Sequence, residues 1–566
     1  MDLPGEIFNS ALSLDFSPGV FMALTIVRCK TDFRRSRVST LLASAAFGLW
    51  LGLSAFATPV LGASATFSLA VAEAVGGDAA IAGFYRAHDF ATLWTGAEDS
   101  ARRAALFQAL DGVAVHGLPA ARYDAAGLRA AFAAVSSEHA RAKLEVMTTR
   151  VFLTYAADVQ TGFLTPAKID PGLVRDVPRR DPRATLDSFA AADPAVFLRG
   201  LPPLAPQYAG LQRARLDLVA AVSSGGWGAR VAADKLGPGD TGAEVVALRD
   251  RLVAQDYLPA SATQTFDPQI QRAVQLFQID HGLTPDGVAG EATIAEVNRG
   301  PEERLKSVLV AMERLRWMNG LPLGKRHVWV NLPDFTAKII DDGKTTFESV
   351  TVVGQNQPDR RSPEFSDQME FLVINPSWNV PRSITVKEYL PMLQKNPNAV
   401  RHLKIVDRRG RLVDRSAVDF TQFTQKNFPF SMSQAPSDDN ALGLVKFMFP
   451  NAWNIYLHDT PSKPLFEKEV RAFSHGCIRL GRPFDLAYAL LALQTADPKG
   501  LFAAHLNTGA ESVIKLTRPV PVHLVYFTAW PDAKGHIEYR RDVYGRDAKI
   551  FDAMQSLGVA IAPVQG

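Results

Sequence analysis

The sequence predicts a multidomain α+β protein, with a helical N-terminal scaffold, a small three-helix module and a mainly-β C-terminal third that carries an inserted helical and loop segment. Three observations predict it. At 566 residues the chain exceeds what one core organises, so three or four domains are expected. Apolar residues recur at three- and four-residue spacing up to about residue 318, as helix faces require. From about residue 326 the period falls to two, as strands require.

The N-terminus comes first. Arg34, Arg35 and Arg37 precede an apolar run from Val38 to Ala65 that closes on Ala63-Ser64-Ala65. Basic segment, apolar stretch and small-residue close make an export signal with an A-x-A cleavage site. The alternative is an uncleaved membrane anchor, because the run approaches the ~20 residues of a spanning helix; Pro59 and the small residues favour cleavage. The 33 residues before Arg34 are unusual for a signal, and Met22 is an alternative start. No other segment is long and apolar enough to span a membrane, so membrane contact is expected only through an uncleaved signal. Export to the periplasm follows.

Composition narrows the partners. Hydrophobic content of 47% and charged content of 21% are ordinary for a soluble protein. The formal charge is +3, and removing residues 1–65 takes five Lys/Arg and four Asp/Glu, leaving +2. The basic run "DRRGRLVDR" (407–415) reads as a solvated turn between two strands, so nucleic acid is not an expected partner. Cys29 lies in the signal. The exported chain keeps Cys477 alone, which excludes an internal disulfide and marks that thiol as a candidate reactive group.

Residues 66–235 read as an alanine-rich helical scaffold, divided by proline-containing breaks at 178–182 and 201–206. Its histidines (His88, His116 and His139) are scattered and form no constellation. Residues 236–298 form a compact unit: the turn Gly237-Pro238-Gly239-Asp240, a helix with Val245, Leu248 and Leu252 capped by Asp240 or Thr241, a helix with Ile270, Val274 and Phe277, and a third begun near Glu291. Its "GDTGAEVVALRDRL" start and "FQIDHGLTPDGVAG" turn resemble the peptidoglycan-binding domain of many wall enzymes. Residues 299–325 read as an amphipathic linking helix on the scaffold, with Pro301 in its first turn. Residues 326–550 carry the strands, among them "HVWVNLPDFTAKII", "TTFESVTVVG", "EFLVINP", "NAWNIYLHD" and "VPVHLVYFTAWPD", with a turn at Asp341-Asp342-Gly343. The insertion, about 382–440, has the length of a lid. Residues 551–566 read as a tail.

The chemistry lies in "VRAFSHGCIRLGRPFDL" (470–486) and "IYLHDTP". Thiol catalysis needs a nucleophile, a base, a group that orients the base, and donors for the oxyanion. His458 lies nineteen residues before Cys477 and meets it if their strands are neighbours. A nearby histidine lowers a thiol's pKa from about 8.5 and populates thiolate. Gly476 lets backbone amides approach a substrate carbonyl, and Pro483 opens a helix beyond. His458, His475 and Cys477 could instead be three zinc ligands, although nothing completes a fourth position. A purely structural role for both histidines also stays open on these residues alone.

The residues resemble the L,D-transpeptidases with a YkuD-type catalytic domain, whose signature is a histidine, a spacer of roughly fifteen residues, then Ser/Thr-His-Gly-Cys. Here that is His458, then Ser474-His475-Gly476-Cys477 followed by Ile478-Arg479-Leu480. With the signal, scaffold, peptidoglycan-binding-like module and insertion, the chain is similar to the long Gram-negative branch. The resemblance implies Cys477 as nucleophile, His458 as base, and the Asp459 carbonyl as the group orienting it. It implies His475 lining the site, the Gly476 and Cys477 amides in the oxyanion hole, and Ser474, Arg479, Trp378, Asn379 and Tyr456 toward substrate. Arg479 would hold a substrate carboxylate or pair structurally, and Tyr456 is as well suited to core packing. The implied reaction cross-links stem peptides. Cys477 attacks the L-centre carbonyl before a terminal D-Ala, and the thioester passes to a side-chain amine of another stem. Peptidoglycan stems and glycan are the implied partners, carbapenems the implied acylating inhibitors, and no cofactor or metal is implied. Alternatives are an L,D-carboxypeptidase, an enzyme anchoring a lipoprotein to the wall, and a non-catalytic wall-binding protein.

Overall fold

The structure is a computed structural model that describes residues 64–561. The predicted export signal, with Cys29, lies outside the described residues apart from its last two positions. There Ser64 caps the first helix, Ala65–Val75, by accepting the Phe67 amide at 3.1 Å. The long Glu138–Thr161 helix forms the spine of the scaffold, packing on Ala65–Val75. Trp94, Phe152 and Phe189 stack in its core. The buried Glu145 carboxylate is held by the Tyr85 hydroxyl at 2.8 Å and the Thr95 amide at 2.8 Å.

The module folds as helices Ala243–Ala254, Pro268–Asp280 and Glu291–Val297 around Val245, Leu248, Ile270, Val274 and Phe277. The cap differs from expectation. Gly242 takes the N-cap position, and Asp240 turns back to accept the Gly237 amide at 2.7 Å.

The C-terminal region holds strands β1 (Arg326–Asn331), β2 (Thr336–Asp341), β3 (Lys344–Gly354), β4 (Phe365–Ile374), β5 (Trp378–Asn379), β6 (Lys404–Val406), β7 (Ser431–Gln434), β8 (Val445–Met448), β9 (Leu457–His458), β10 (Ala472–Ser474), β11 (Ile478–Leu480), β12 (Ser512–Val525), β13 (Ala529–Pro531) and β14 (Ile537–Tyr539). Among the described residues nine of them make one sheet, in the order β10-β3-β11-β9-β8-β4-β12-β1-β2. β3 pairs with β2 as well, so the sheet closes on itself around Val328, Val330, Leu372, Phe447, Leu457 and Ile478. The insertion has a core of its own, with Leu390, Leu393, Ile405, Phe420 and Met432 under the small sheet β5-β7-β6. The predicted strand "NAWNIYLHD" shrinks to Leu457–His458. The Asn451 side chain accepts the Trp453 and Ile455 amides, which turns the residues before it.

Two expectations are corrected here. The helix Pro301–Met318 is not amphipathic in place: Arg304, Glu313, Arg314 and Arg316 are as buried as Val308 and Met312. Arg316 pairs with Glu313 at 2.7 Å and donates to the His116 carbonyl at 2.8 Å, on the scaffold side. Nor are residues 551–566 simply a tail. A helix, Arg546–Ser556, buries Ile550, Phe551 and Met554 against Pro301–Met318. The two helices meet in a buried ionic cluster. Arg314 pairs with Glu364 and with Asp547 (3.1 Å), Arg546 with Glu364 (3.2 Å), and Lys549 with Asp170 (2.6 Å). One cluster thus ties scaffold, linking helix, sheet and C-terminal helix together.

Candidate active site

Three adjacent strands build the site. On β8, Lys446 lies opposite His458 of β9, and on β11 Arg479 lies opposite His458. Directly opposed residues share a sheet face, so Lys446, His458 and Arg479 form one row. Cys477 immediately precedes β11. All four line a cavity of about 620 Å³, with Trp378, Asn379 and Tyr456 also in its wall.

The loop before β11 is held by its own side chains. Ser474 Oγ donates to the Cys477 carbonyl at 2.6 Å and accepts the Gly476 amide at 3.1 Å. Ser362 Oγ donates to the Gly476 carbonyl at 2.6 Å, and the Ser362 carbonyl accepts from Arg546 at 2.9 Å. The catalytic loop is therefore two hydrogen bonds from the ionic cluster. Gly476 has φ of +117°, and a Cβ there would meet Ile455 at 3.1 Å, so glycine is required. Two sequence expectations change. The Gly476 amide is engaged within the loop, so it is not free to join the Cys477 amide in the expected oxyanion hole. Ser474 is buried and braces the loop, so its hydroxyl is not offered to substrate.

His458 is 4% exposed, and its Nδ1 donates to the Asp459 carbonyl. That contact assigns the proton to Nδ1 and the lone pair to Nε2. The Asp459 carboxylate is occupied elsewhere, accepting the Leu444 amide at 2.9 Å and Lys463 at 2.6 Å. Burial, with Arg479 adding to it, lowers His458 to about 3, against the pull of the Asp459 and Leu442 backbone groups. Burial likewise pushes the Cys477 thiol up to about 11, against hydrogen bonds from Tyr456 and the charges of Arg479 and Lys446. The side chain is half-buried because it opens into the cavity, yet protein groups surround the sulphur. The resting pair is thus neutral thiol and neutral imidazole. Burial therefore opposes the thiolate that the nearby histidine was expected to populate, because desolvation disfavours both charged forms. Tyr456 lines the same cavity, and the Cys477 thiol itself donates to the Asn454 carbonyl at 3.5 Å.

The insertion reaches this site at one turn. Glu388 lies in a wide helical turn, Thr385–Tyr389, and accepts from His475 Nε2 at 2.6 Å and from Arg360 at 2.7 Å. His475 therefore lines the cavity with its ring tethered to the insertion. Arg360, Glu388 and Lys446 were missed by sequence reasoning. Only Lys446 carried a signal, a cation four residues before "PN" on an apolar strand.

Three stretches of the chain match known protein families. Residues 325–504 match the family model "L,D-transpeptidase catalytic domain", residues 241–296 "Putative peptidoglycan binding domain", and residues 79–214 "Scaffold domain". A curated relative from Haemophilus influenzae, "Putative L,D-transpeptidase", is 34% identical over 229 residues, 39% of this chain. The match spans 45% of that relative's length. Two crystal structures were also matched. The L,D-transpeptidase (residues 123–326) of Xylanimonas cellulosilytica is 13% identical, covers 52% of this chain and 98% of its own, and has a TM-score of 0.16. The L,D-transpeptidase (Yku) of Stackebrandtia nassauensis is 15% identical, covers 51% and 94%, and has a TM-score of 0.20. Those TM-scores are too low to add to the family matches. The C-terminal region is the part of the chain that matches the L,D-transpeptidase catalytic-domain model. More particularly, the chain carries a YkuD-type L,D-transpeptidase catalytic domain behind a peptidoglycan-binding domain and a scaffold domain.

Proposed function

We propose that this chain is an exported peptidoglycan L,D-transpeptidase working in the periplasm through Cys477. One observation carries the reading: Cys477 and His458 line one cavity, with His458 Nδ1 held by the Asp459 carbonyl. As a donor carbonyl arrives, His458 Nε2 takes the thiol proton while sulphur bonds to carbon. General-base help of this kind contributes typically ~10²–10⁴-fold. The oxyanion develops against the Cys477 amide, a donor worth roughly 3 kcal/mol. The C–N bond breaks, D-Ala leaves with the proton from His458, and the acyl group stays as a thioester. A side-chain amine of a second stem then attacks, His458 takes its proton, and the thiolate leaves to be reprotonated. No ATP is needed, because the energy of the first amide is retained in the thioester.

Cross-linking rather than hydrolysis requires that water be kept from the thioester. The insertion supports that reading: it contributes Ser383, Ile384, Lys387 and Glu388 to the cavity wall, with Glu388 fastened to His475. Trimming 382–440 should raise the ratio of hydrolysis to transfer, and an unchanged ratio removes the lid. Among the described residues no helix is long and apolar enough to cross a membrane.

The test is the intact mass of residues 66–566, and of the products, after incubation with a disaccharide-tetrapeptide beside a Cys477→Ser control. Loss of D-Ala with a new dimer, absent in the control, supports the reading. Tripeptide alone means a carboxypeptidase. No turnover and no carbapenem adduct on Cys477 would overturn it.

A further inference from the structure

The connection between the proposed base and the proposed nucleophile has no anchor in the core. His458 ends β9 and Cys477 lies just past β10, and between them no residue from 461 to 473 is buried. Its one helical turn, Lys463–Glu467, buries nothing, and β10 is three residues long at the edge of the sheet. Glu469, Val470 and Arg471 face a cavity of about 350 Å³ rather than packed side chains. An edge strand this short, without apolar anchors, belongs to the least stable part of a fold.

Polar contacts hold the connection instead. At its start Lys463 pairs with Asp459 at 2.6 Å. At its end Arg471 donates to the Thr351 carbonyl at 3.1 Å and the Phe335 carbonyl at 3.3 Å. The Val353 and Gln355 amides donate to the Arg471 and Ser474 carbonyls, both at 2.8 Å. The middle is held from another domain. Glu469 Oε1 accepts both the amide and the hydroxyl of Thr284, each at 3.1 Å. Thr284 belongs to the turn after the module's second helix, Pro268–Asp280. That turn is seated on the catalytic region by other contacts: Arg540 donates to the Asp280 carbonyl at 2.7 Å, and Tyr539 stacks on His281 at 5.6 Å. Arg541 lies between Glu469 and the module's Glu296, at 4.0 and 3.5 Å. The module thus reaches the connection five residues before Ser474 and eight before Cys477. A module that served only as a spacer, or only to grip the wall, would need no bond to the segment entering the catalytic loop.

We propose that the three-helix module positions the catalytic loop: Thr284 clamps Glu469, and the clamp holds the connection that carries Cys477 against His458. Glu469 and Thr284 are then positioning residues that act through β10 and touch no substrate. A displacement of the module reaches the thiol along residues 469–477. The effect on acylation rests on the transpeptidase reading; the clamp does not.

Two measurements on the full chain test this. The first needs no turnover: hydrogen exchange of the Val353 and Gln355 amides, whose acceptors lie on Arg471 and Ser474, read by mass spectrometry of peptides spanning 351–356. Glu469→Ala should speed that exchange on the order of tenfold, as loss of one charge-assisted hydrogen bond would, and leave β4 unchanged. Thr284→Val removes one of the two donors from the module side and should give a smaller change of the same kind. Glu469→Gln keeps the accepting oxygen and should restore most of the protection. Exchange that Glu469→Ala leaves at the native rate overturns the clamp, whatever the enzyme's reaction. The second is stopped-flow acylation of Cys477 by a carbapenem, which carries no glycan for the module to hold. Glu469→Ala should lower the limiting acylation rate by roughly 10- to 100-fold, as misplacing a reacting group does, with the affinity of the first complex and the fraction acylated unchanged. A contact that only stabilised the fold would lower the fraction acylated and leave the rate of the remainder native; that result would overturn the positioning role. If the native protein takes no carbapenem, the transpeptidase reading fails, and the exchange alone upholds or overturns the clamp.

Discussion

Two charge clusters neighbour the loop that carries Cys477, and they are built on opposite rules. Around Arg314, Glu364, Arg546, Asp547, Asp170 and Lys549 every charged group has a partner of opposite sign. In the cavity, Lys446 and Arg479 have none among the described residues, and burial disfavours the charged forms of the thiol and imidazole. The first cluster joins four parts of the chain and reaches the loop through Ser362. The second acts on the Cys477 sulphur. Paired charges fix geometry, while unpaired ones beside a proposed nucleophile act on its protonation.

The largest effect should come from the neutral pair. His458→Gln removes the base while Gln can still bond the Asp459 carbonyl, so acylation should fall by ~10²–10⁴-fold with little change in melting temperature. A loss under tenfold in stopped-flow acylation would show that His458 is not the proton acceptor. The paired cluster should answer in stability instead. Glu364→Gln leaves Arg314 and Arg546 sharing fewer negative charges in a buried site, at about 3–5 kcal/mol in urea unfolding. A loss below 1 kcal/mol would place the anchorage elsewhere.

The pH profile sharpens the contrast. An ordinary imidazole base would lose half its activity near pH 6.5. With His458 lowered to about 3 it stays neutral and basic well below that, and with the thiol at about 11 no thiolate limb appears before strongly alkaline pH. Carbapenem acylation should therefore be nearly flat from pH 5 to 9. Stability has the opposite sensitivity. His116 and His523 (about 4) and His458 are lowered by burial, so the unfolded chain binds more protons below pH 6.5. Stability should fall as pH drops from 6.5 toward 4, by on the order of 1 kcal/mol per histidine per unit. An inflection near 6.5 in acylation, or a flat denaturation midpoint, would contradict these assignments.

Local sequence carried the proposed nucleophile, its proposed histidine partner and the three-helix module, because each is written in contiguous residues at fixed spacing. Contacts made over long separations were hidden. Glu388 reaches His475 across 87 residues, and Ser362 reaches Gly476 across 114. The direction of a pKa shift was hidden for a related reason: "SHGC" announces a histidine near a thiol, but burial of both comes from surrounding strands. The C-terminal helix was legible and overlooked, since Ile550, Phe551 and Met554 recur at helical spacing. The burial of Arg304, Glu313, Arg314 and Arg316 was not legible, because charges on a helix ordinarily mark its wet face.

The smallest predicted effect discriminates best between the two clusters. Lys446→Met keeps the length and apolar stem of the side chain and removes only the charge. If the cation has no protein partner, its removal relieves desolvation that nothing in the free protein offsets. Stability should then be unchanged or rise, by at most about 1 kcal/mol. The corresponding neutralisation in the paired cluster, Glu364→Gln, should destabilise several-fold more. Urea midpoints of the two variants, measured side by side at pH 7, decide the matter. Were Lys446→Met to destabilise as much as Glu364→Gln, Lys446 would be a structural cation with a protein partner, and the two clusters would follow one rule.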